Sequence, residues 1–355
     1  MNYLMTNLRH RMKRLYHVAL CALMIGNTYV YAQSSVVVIP LFGGEAASLA
    51  NVITVSRSGG DFTDPVSALN SITDNEAGNT YIIMIGPGIY DLTEPLVMKP
   101  FVNFHGSGKF VTLIRGARAA QIPGPDAALV IGGPLSKLSN LSISNGTDSS
   151  GNPVGKASIG IYSNADNPEL NNVTISATGG LNNYAMYNVS ARPVVKDSQI
   201  FAGLAGTNGS NYGVYNTNFS HAKISRSEIS VGHGKNNYGV YNINSSPRLD
   251  GVRIIVESAT SSNQGILNNG GSPEIINSYI LADDNGARGM RSDGDSEPRV
   301  RRTTIYAGIQ GNSGTSTSVS QSSVFGTVVG SGNFHCTAND NTFGSPLDQN
   351  CQPLP

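Results

Sequence analysis

The chain has 355 residues and no tryptophan, and only 13% of its residues are charged. It has three cysteines and six histidines. His105, His221, His233 and His335 stand singly, without the paired spacing of a zinc site. No Gly-x-Ser-x-Gly turn is present and no phosphate-cradling loop, which removes two familiar catalytic frameworks. Helical periodicity is missing as well: no stretch of the main body repeats its apolar residues at helical spacing over ten or more positions. What fills the chain instead is Gly, Asn, Ser and Thr between short β-branched runs.

Long apolar runs are also lacking. The longest candidate, about Leu15 to Ile25, follows Arg9, Arg11, Lys13 and Arg14 and leads to Val30, Tyr31 and Ala32. It falls short of the roughly 20 residues a membrane span needs. The layout predicts a signal peptide over residues 1–32, and Leu20 before Cys21 argues against lipoprotein processing. Those 32 residues hold four basic side chains and no acid, so the remainder carries 19 basic against 23 acidic residues, or −4. That balance disfavours nucleic acid as a partner, because phosphate binding wants a basic stripe.

The main body repeats. Leu170 and Ile175 are two apolar anchors five residues apart, and Val195 and Ile200, Ile224 and Ile229, Leu249 and Ile254, Ile275 and Ile280, Val300 and Ile305, and Val319 and Val324 follow. Successive first anchors lie 25, 29, 25, 26, 25 and 19 residues apart. A second motif keeps step: Gly213, Val214, Tyr215, Asn216 recurs as Gly239, Val240, Tyr241, Asn242, with relatives at Gly160, Ala185 and Gly265. A fixed period of this length is the mark of a solenoid, in which each unit buries its apolar face only on its neighbours. Two or three short strands with turns fill one unit. The reading is therefore all-β: a single-stranded parallel β-helix, with like residues stacked about 4.8 Å apart.

Residues 33–330 are assigned to the β-helix, beginning with a leader strand at Val36–Ile39. An N-terminal cap is placed at about 52–75, and a tail or cap at 331–355. Asp64 and Pro65 have the types of an N-cap and a first helical residue, with Val66, Leu69 and Ile72 on one face. Asn145 to Gly155 reads as a polar loop. Cys336 and Cys351 are the only cysteines outside the leader and are expected to pair, closing the C-terminal end.

Ser58, Gly59, Gly60, Asp61, Phe62 and Thr63 with Ala68 and Leu69, then Ile85 to Tyr90, then Phe104 to Gly108 with Thr112, resemble the opening of pectin methylesterases. The resemblance covers roughly residues 52–116. It implies the right-handed β-helix of the pectin-lyase-like group, a handedness that parallel crossovers also prefer, and it implies the capping helix. It carries over no catalytic residue: the family's Gln-Asp-Thr, Asp-Phe-x-Phe-Gly and Gly-Arg-Pro-Trp signatures are missing. Gly232, His233, Gly234 and Asp283, Asp284 are similar to two polygalacturonase motifs, but in reversed order, and abundant turn residues explain them.

Alternation along the strand sets the candidate sites. If Ile161, Met186, Val214, Val240, Ile266, Met290 and Ile309 point inward, Tyr162, Tyr187, Tyr215 and Tyr241 point outward and form a ladder that suits stacking on sugar rings; the opposite parity would bury them. Ser163, Asn188, Asn216, Asn242, Asn268 and Ser292 form a second ladder, read as structural, with Asn at left-handed corners. Asp283, Asp284, Asp293, Asp295 and Glu297 lie beside Arg288, Arg291, Arg299, Arg301 and Arg302. This cluster resembles the surface of pectate lyases, which implies Asp283, Asp284 and Arg291 as catalytic candidates and Asp293, Asp295 and Glu297 as Ca2+ ligands. The alternative is a solvated ion-pair network.

Besides purely structural work in an envelope or matrix, which predicts neither binding nor turnover, two function classes remain. One is a secreted, non-catalytic repeat protein, extracellular, cell-surface or periplasmic, that needs no cofactor and presents a polar and aromatic face to a polysaccharide or cell-surface glycan. The other is a carbohydrate-active enzyme, pectinesterase-like or polyuronide-lyase-like, with a non-standard site.

Overall fold

The computed structural model describes residues 51–147, 155–203, 209–284, 286–340 and 346–352. The signal-peptide and leader-strand readings and most of the Asn145–Gly155 loop lie outside these residues.

The described residues form three parallel sheets of 12, 10 and 10 strands, with almost no helix. Each coil gives one strand to each sheet in turn. In one coil these are Glu169–Asn171 in the first sheet, Thr174–Ala177 in the second and Gly180–Val189 in the third; Val194–Lys196 then begins the next coil. The anchor pairs sit either side of the corner between the first and second sheets. Leu249 lies in register between Ile224 and Ile275 in the first sheet. Ile254 lies between Ile229 and Ile280 in the second. Every anchor is buried, and the third column is completed by Ile161, Met186, Val214, Val240, Ile266, Met290 and Ile309, each with no exposed surface.

That corner is tight for a reason the apolar spacing hides. One residue per coil there takes a left-handed backbone: Asn172 at φ 53°, Asp197 at 53°, Arg226 at 45°, Asn277 at 51° and Arg302 at 48°. Asn and Asp tolerate this conformation; Arg does so less readily. The two arginines are held by the coil before: Arg226 by a bidentate pair with Asp197, and Arg302 by donating from Nε to Asn277 Oδ1 at 2.8 Å.

The N-terminal end is closed by the helix Pro65–Asn70. The Asp64 side chain accepts from the Ser67 N–H at 2.7 Å, Pro65 opens the first turn, and Val66, Ala68 and Leu69 are buried. Lys99 Nζ donates to the carbonyls of Leu69 at 3.0 Å and Ile72 at 2.6 Å, which satisfies groups at the helix end. At the other end Asn333–Thr337 still pairs with Ser316–Ser320, a few residues into the segment read from sequence as tail. Cys336 occupies the inward column below Val319 and is disulfide-bonded to Cys351, closing the C-terminal cap. Among the described residues no helix is long and apolar enough to cross a membrane.

Candidate ligand-binding face

The strands of the third sheet are long, eight to ten residues in the central coils, and each bends at a column of small residues: Gly160, Ala185, Gly213, Gly239, Gly265 and Gly289. A Cβ at Gly213 would stand 2.4 Å from Ile229 Cγ2 and 2.6 Å from the Gly239 carbonyl oxygen. The backbone therefore dips toward the second sheet at this column, and only the smallest residues allow it. The dip breaks strict alternation. Gly213 and Val214 both face inward, which turns Tyr212 before them and Tyr215 after them outward, so each central coil presents two tyrosines where period-two counting gives one.

Tyr162, Tyr187, Tyr215 and Tyr241 are in register along one side of the bend. Tyr184, Tyr212 and Tyr238 are in register along the other. The sequence left the direction of the first column open between outward and buried, and the second column was not found. Its signal was present as Asn-Tyr-Gly, at Asn211 to Gly213 and Asn237 to Gly239. Rings stack along each column: Tyr184 on Tyr212 with centroids 4.6 Å apart and planes 2° from parallel, and Tyr187 on Tyr215 at 4.7 Å and 16°. Between columns they meet edge to face, Tyr212 against Tyr215 at 5.3 Å and 90°. Tyr162 and Tyr184 are nearly covered, 9% and 8% exposed, while the other five remain part-exposed. Burial raises every phenol in the group. Neighbouring phenols add to this for Tyr184 and Tyr215, and Tyr212 is pushed up to about 12. The hydroxyls are neutral donors and acceptors at ordinary pH.

The first tyrosine column continues into the charged cluster. Tyr241 is followed in register by Leu267, Arg291 and Gln310; Tyr238 is followed by Gln264 and Arg288. Arg291 Nε lies 3.0 Å from Asp293 Oδ2, and Arg288 Nε donates to Gln310 Oε1 at 3.2 Å. The Tyr241 phenol, raised mainly by burial, also feels Asp293 and Arg291, so the ion pair is close to the aromatic group. The outer face thus runs from aromatic to cationic along the solenoid axis.

Asp283 and Asp284 lie elsewhere, in the turn between the second and third sheets. Asp283 Oδ1 accepts from the Asp284 N–H at 2.8 Å, and Asp284 Oδ2 accepts from the Ser258 N–H at 2.7 Å, with Asp284 itself at φ 69°. Both carboxylates are engaged in shaping the turn, and Arg291 pairs with Asp293 instead. Among the described residues no three His, Cys, Asp or Glu side chains are grouped so as to hold a metal ion. Asp293, Asp295 and Glu297 accordingly do not converge: Asp293 is bonded by Asn312 and Arg291, and Gly294 at φ 61° breaks the strand geometry between Asp293 and Asp295.

The Asn ladder is inward, not at left-handed corners. Asn188, Asn216, Asn242 and Asn268 are extended, fully buried and linked amide to amide at 2.8, 2.9 and 2.8 Å. A parallel ladder of Asn183, Asn211, Asn237 and Asn263 runs beyond the bend at 2.9, 3.2 and 3.1 Å. These two ladders bracket the tyrosine-bearing stretch of each strand and hold its backbone in place.

No protein-family model matches the chain, and no curated protein matches it. Solved structures do. The A-module of the mannuronan C-5 epimerase AlgE6 from Azotobacter vinelandii is 13% identical, with a TM-score of 0.50 over 78% of this chain and 90% of that one. The chain is a right-handed parallel β-helix of the pectin-lyase-like fold. Pectin methylesterase PemA from Erwinia chrysanthemi, at 13% identity, covers 87% of this β-helix and 94% of its own chain with a TM-score of 0.47. The pectin methylesterase from carrot, at 14%, covers 84% and 85% with a TM-score of 0.47.

Proposed function

We propose that this β-helix is an exported, non-catalytic repeat protein whose third-sheet outer face binds a polysaccharide. One observation carries the reading: seven tyrosines stand in two in-register columns along the solenoid axis, and five of them are part-exposed. Aromatic rings at van der Waals contact suit the apolar faces of sugar rings, and their hydroxyls can meet sugar hydroxyls at the edges. Arg288 and Arg291 at one end give the face a place for an anionic substituent. Export is supported by the leader-like residues 1–32 and by the Cys336–Cys351 disulfide, since such bonds persist in oxidising compartments.

The alternative is a carbohydrate-active enzyme of the esterase or polyuronide-lyase kind. It rests on the fold shared with a mannuronan C-5 epimerase module and on Asp283, Asp284 and Arg291. A panel of pectins, alginates and neutral polysaccharides, scored for retention and for new products, separates the two. Retention without products supports the binding reading. Products that disappear in Asp283→Ala or Arg291→Ala would establish the enzyme.

A further inference from the structure

The first sheet has an outer face of its own, and its charge is opposite in sign to that of the chain. From Lys137 to Arg302, the outward positions of its strands and the left-handed corner beside them hold eight basic and four acidic side chains. The rest of residues 33–355 holds 11 basic and 19 acidic ones. The overall negative balance therefore conceals a cationic strip. All four carboxylates are engaged within it. Glu169 pairs with Lys137 and Lys196, and Asp197 with Arg226. Asp250 and Glu274 both pair with Arg248. Lys223, Arg299, Arg301 and Arg302 are exposed and form no salt bridge among the described residues. Arg299 and Arg301 stand two apart on one strand face, and Arg302 follows at the corner. The coils after them add Ser318 and Ser320, then His335 and Thr337, and no acid. The sequence grouped these three arginines with Arg288 and Arg291; the fold turns them onto a different sheet.

Exposed, unpaired guanidinium groups select anionic oxygen, which their planar N–H forks meet two atoms at a time. The pattern of signs decides what carries that oxygen. Along the axis one outward column reads Lys223, Arg248, Glu274, Arg299, and its neighbour reads Ser225, Asp250, Ile276, Arg301. A thin polyanion strand following either column would lie against a carboxylate. A plane of headgroups responds to the strip as a whole, because coils about 4.8 Å apart lie within one Debye length of each other, about 8–10 Å. Such a plane meets the net positive charge. Among the described residues no helix is long and apolar enough to cross a membrane, so the attachment is peripheral. We propose that the first-sheet face, around Arg299 and Arg301, docks on a lipid surface rich in anionic phosphate headgroups. The tyrosine columns lie on another sheet and stay free for their own ligand.

The test is co-sedimentation of the full chain with vesicles of phosphatidylcholine alone and of phosphatidylcholine mixed with phosphatidylglycerol. Wild type is expected to pellet with the mixed vesicles only and to be released by added salt. Each cation near an anionic surface strengthens binding about fivefold, so Arg299→Gln/Arg301→Gln should partition roughly 25-fold less. Both side chains are exposed, and far-ultraviolet dichroism should show the double variant folded. Lys235→Glu lowers the net charge by the same amount in the turn between the second and third sheets, and should pellet like wild type. Wild type that ignores the mixed vesicles, or pellets equally with phosphatidylcholine alone, overturns the proposal whatever the variants do. So does an equal loss in Lys235→Glu, which would mark a response to net charge and not to this face. Retardation of wild type by duplex DNA or by soluble pectate, without vesicle binding, would assign the face to a polymer and overturn it as well.

Discussion

Asn242 shows what one side chain contributes here. Its amide donates to Asn268 and accepts from Asn216 in a site without solvent. Asn242→Ala leaves two partners buried and unpaired, at about 1–3 kcal/mol for each such group, so its denaturation midpoint should fall well below that of a surface Asn→Ala control such as Asn70. His105 gives a pH-dependent counterpart. Its Nδ1 lies 2.9 Å from Ser139 Oγ, and its Nε2 is 3.2 Å from Asn140 Nδ2. Burial, then the nearby Lys137 cation, holds the ring below its ordinary value of 6.5. A histidine whose folded pKa is depressed favours the folded state while neutral, and that contribution is lost as pH falls through the folded value. Stability should therefore drop on acidification below 6.5, and His105→Gln should weaken that drop; denaturant midpoints on either side of 6.5 check it.

At the scale of the element, the bent strand of the third sheet matters most. Gly213 permits the dip, so Gly213→Ala pushes a methyl group into Ile229 and the next coil. Overpacking of this kind costs about 1–3 kcal/mol, and the edge-to-face contacts of Tyr212 and Tyr215 should loosen with it, visible as altered near-ultraviolet tyrosine dichroism. The dip also explains what stayed hidden in the sequence. Counting by twos with Val214 inward puts Tyr215 outside but Tyr212 inside with Val214, and only the dip at Gly213 turns Tyr212 outward. The Asn ladder was legible as a ladder, yet its direction was not, because Asn serves equally at corners and in buried amide stacks. The left-handed residues Arg226 and Arg302 gave no signal at all, since arginine is not a turn former and its stabilising partners, Asp197 and Asn277, lie a coil away.

For the whole molecule, the coil winding was readable from one regularity, the anchor spacing, because a solenoid turns sequence period directly into spatial contact. The Cys336–Cys351 pairing was readable from cysteine count. Its 15-residue separation is worth about 3 kcal/mol in a loop-closure account, and reduction should lower the urea midpoint accordingly while the central coils keep their β dichroism. The charged cluster was legible only as a cluster. The fold splits it, leaving Arg288, Arg291 and Asp293 on the tyrosine face and Asp283 and Asp284 in a turn. The face that results is a property of the assembled coils, and no single repeat contains it.

The claim that this face is the functional surface is tested most directly by affinity electrophoresis of wild type and of Tyr215→Ala/Tyr241→Ala through gels containing each polysaccharide. The two substitutions remove part-exposed rings and, with stacking worth about 0.5–1.5 kcal/mol per pair, should leave the protein folded by circular dichroism. At least one polysaccharide should retard wild type, and the double variant should run through it freely. Equal retardation of the two proteins, or none for either across the panel, would refute the claim.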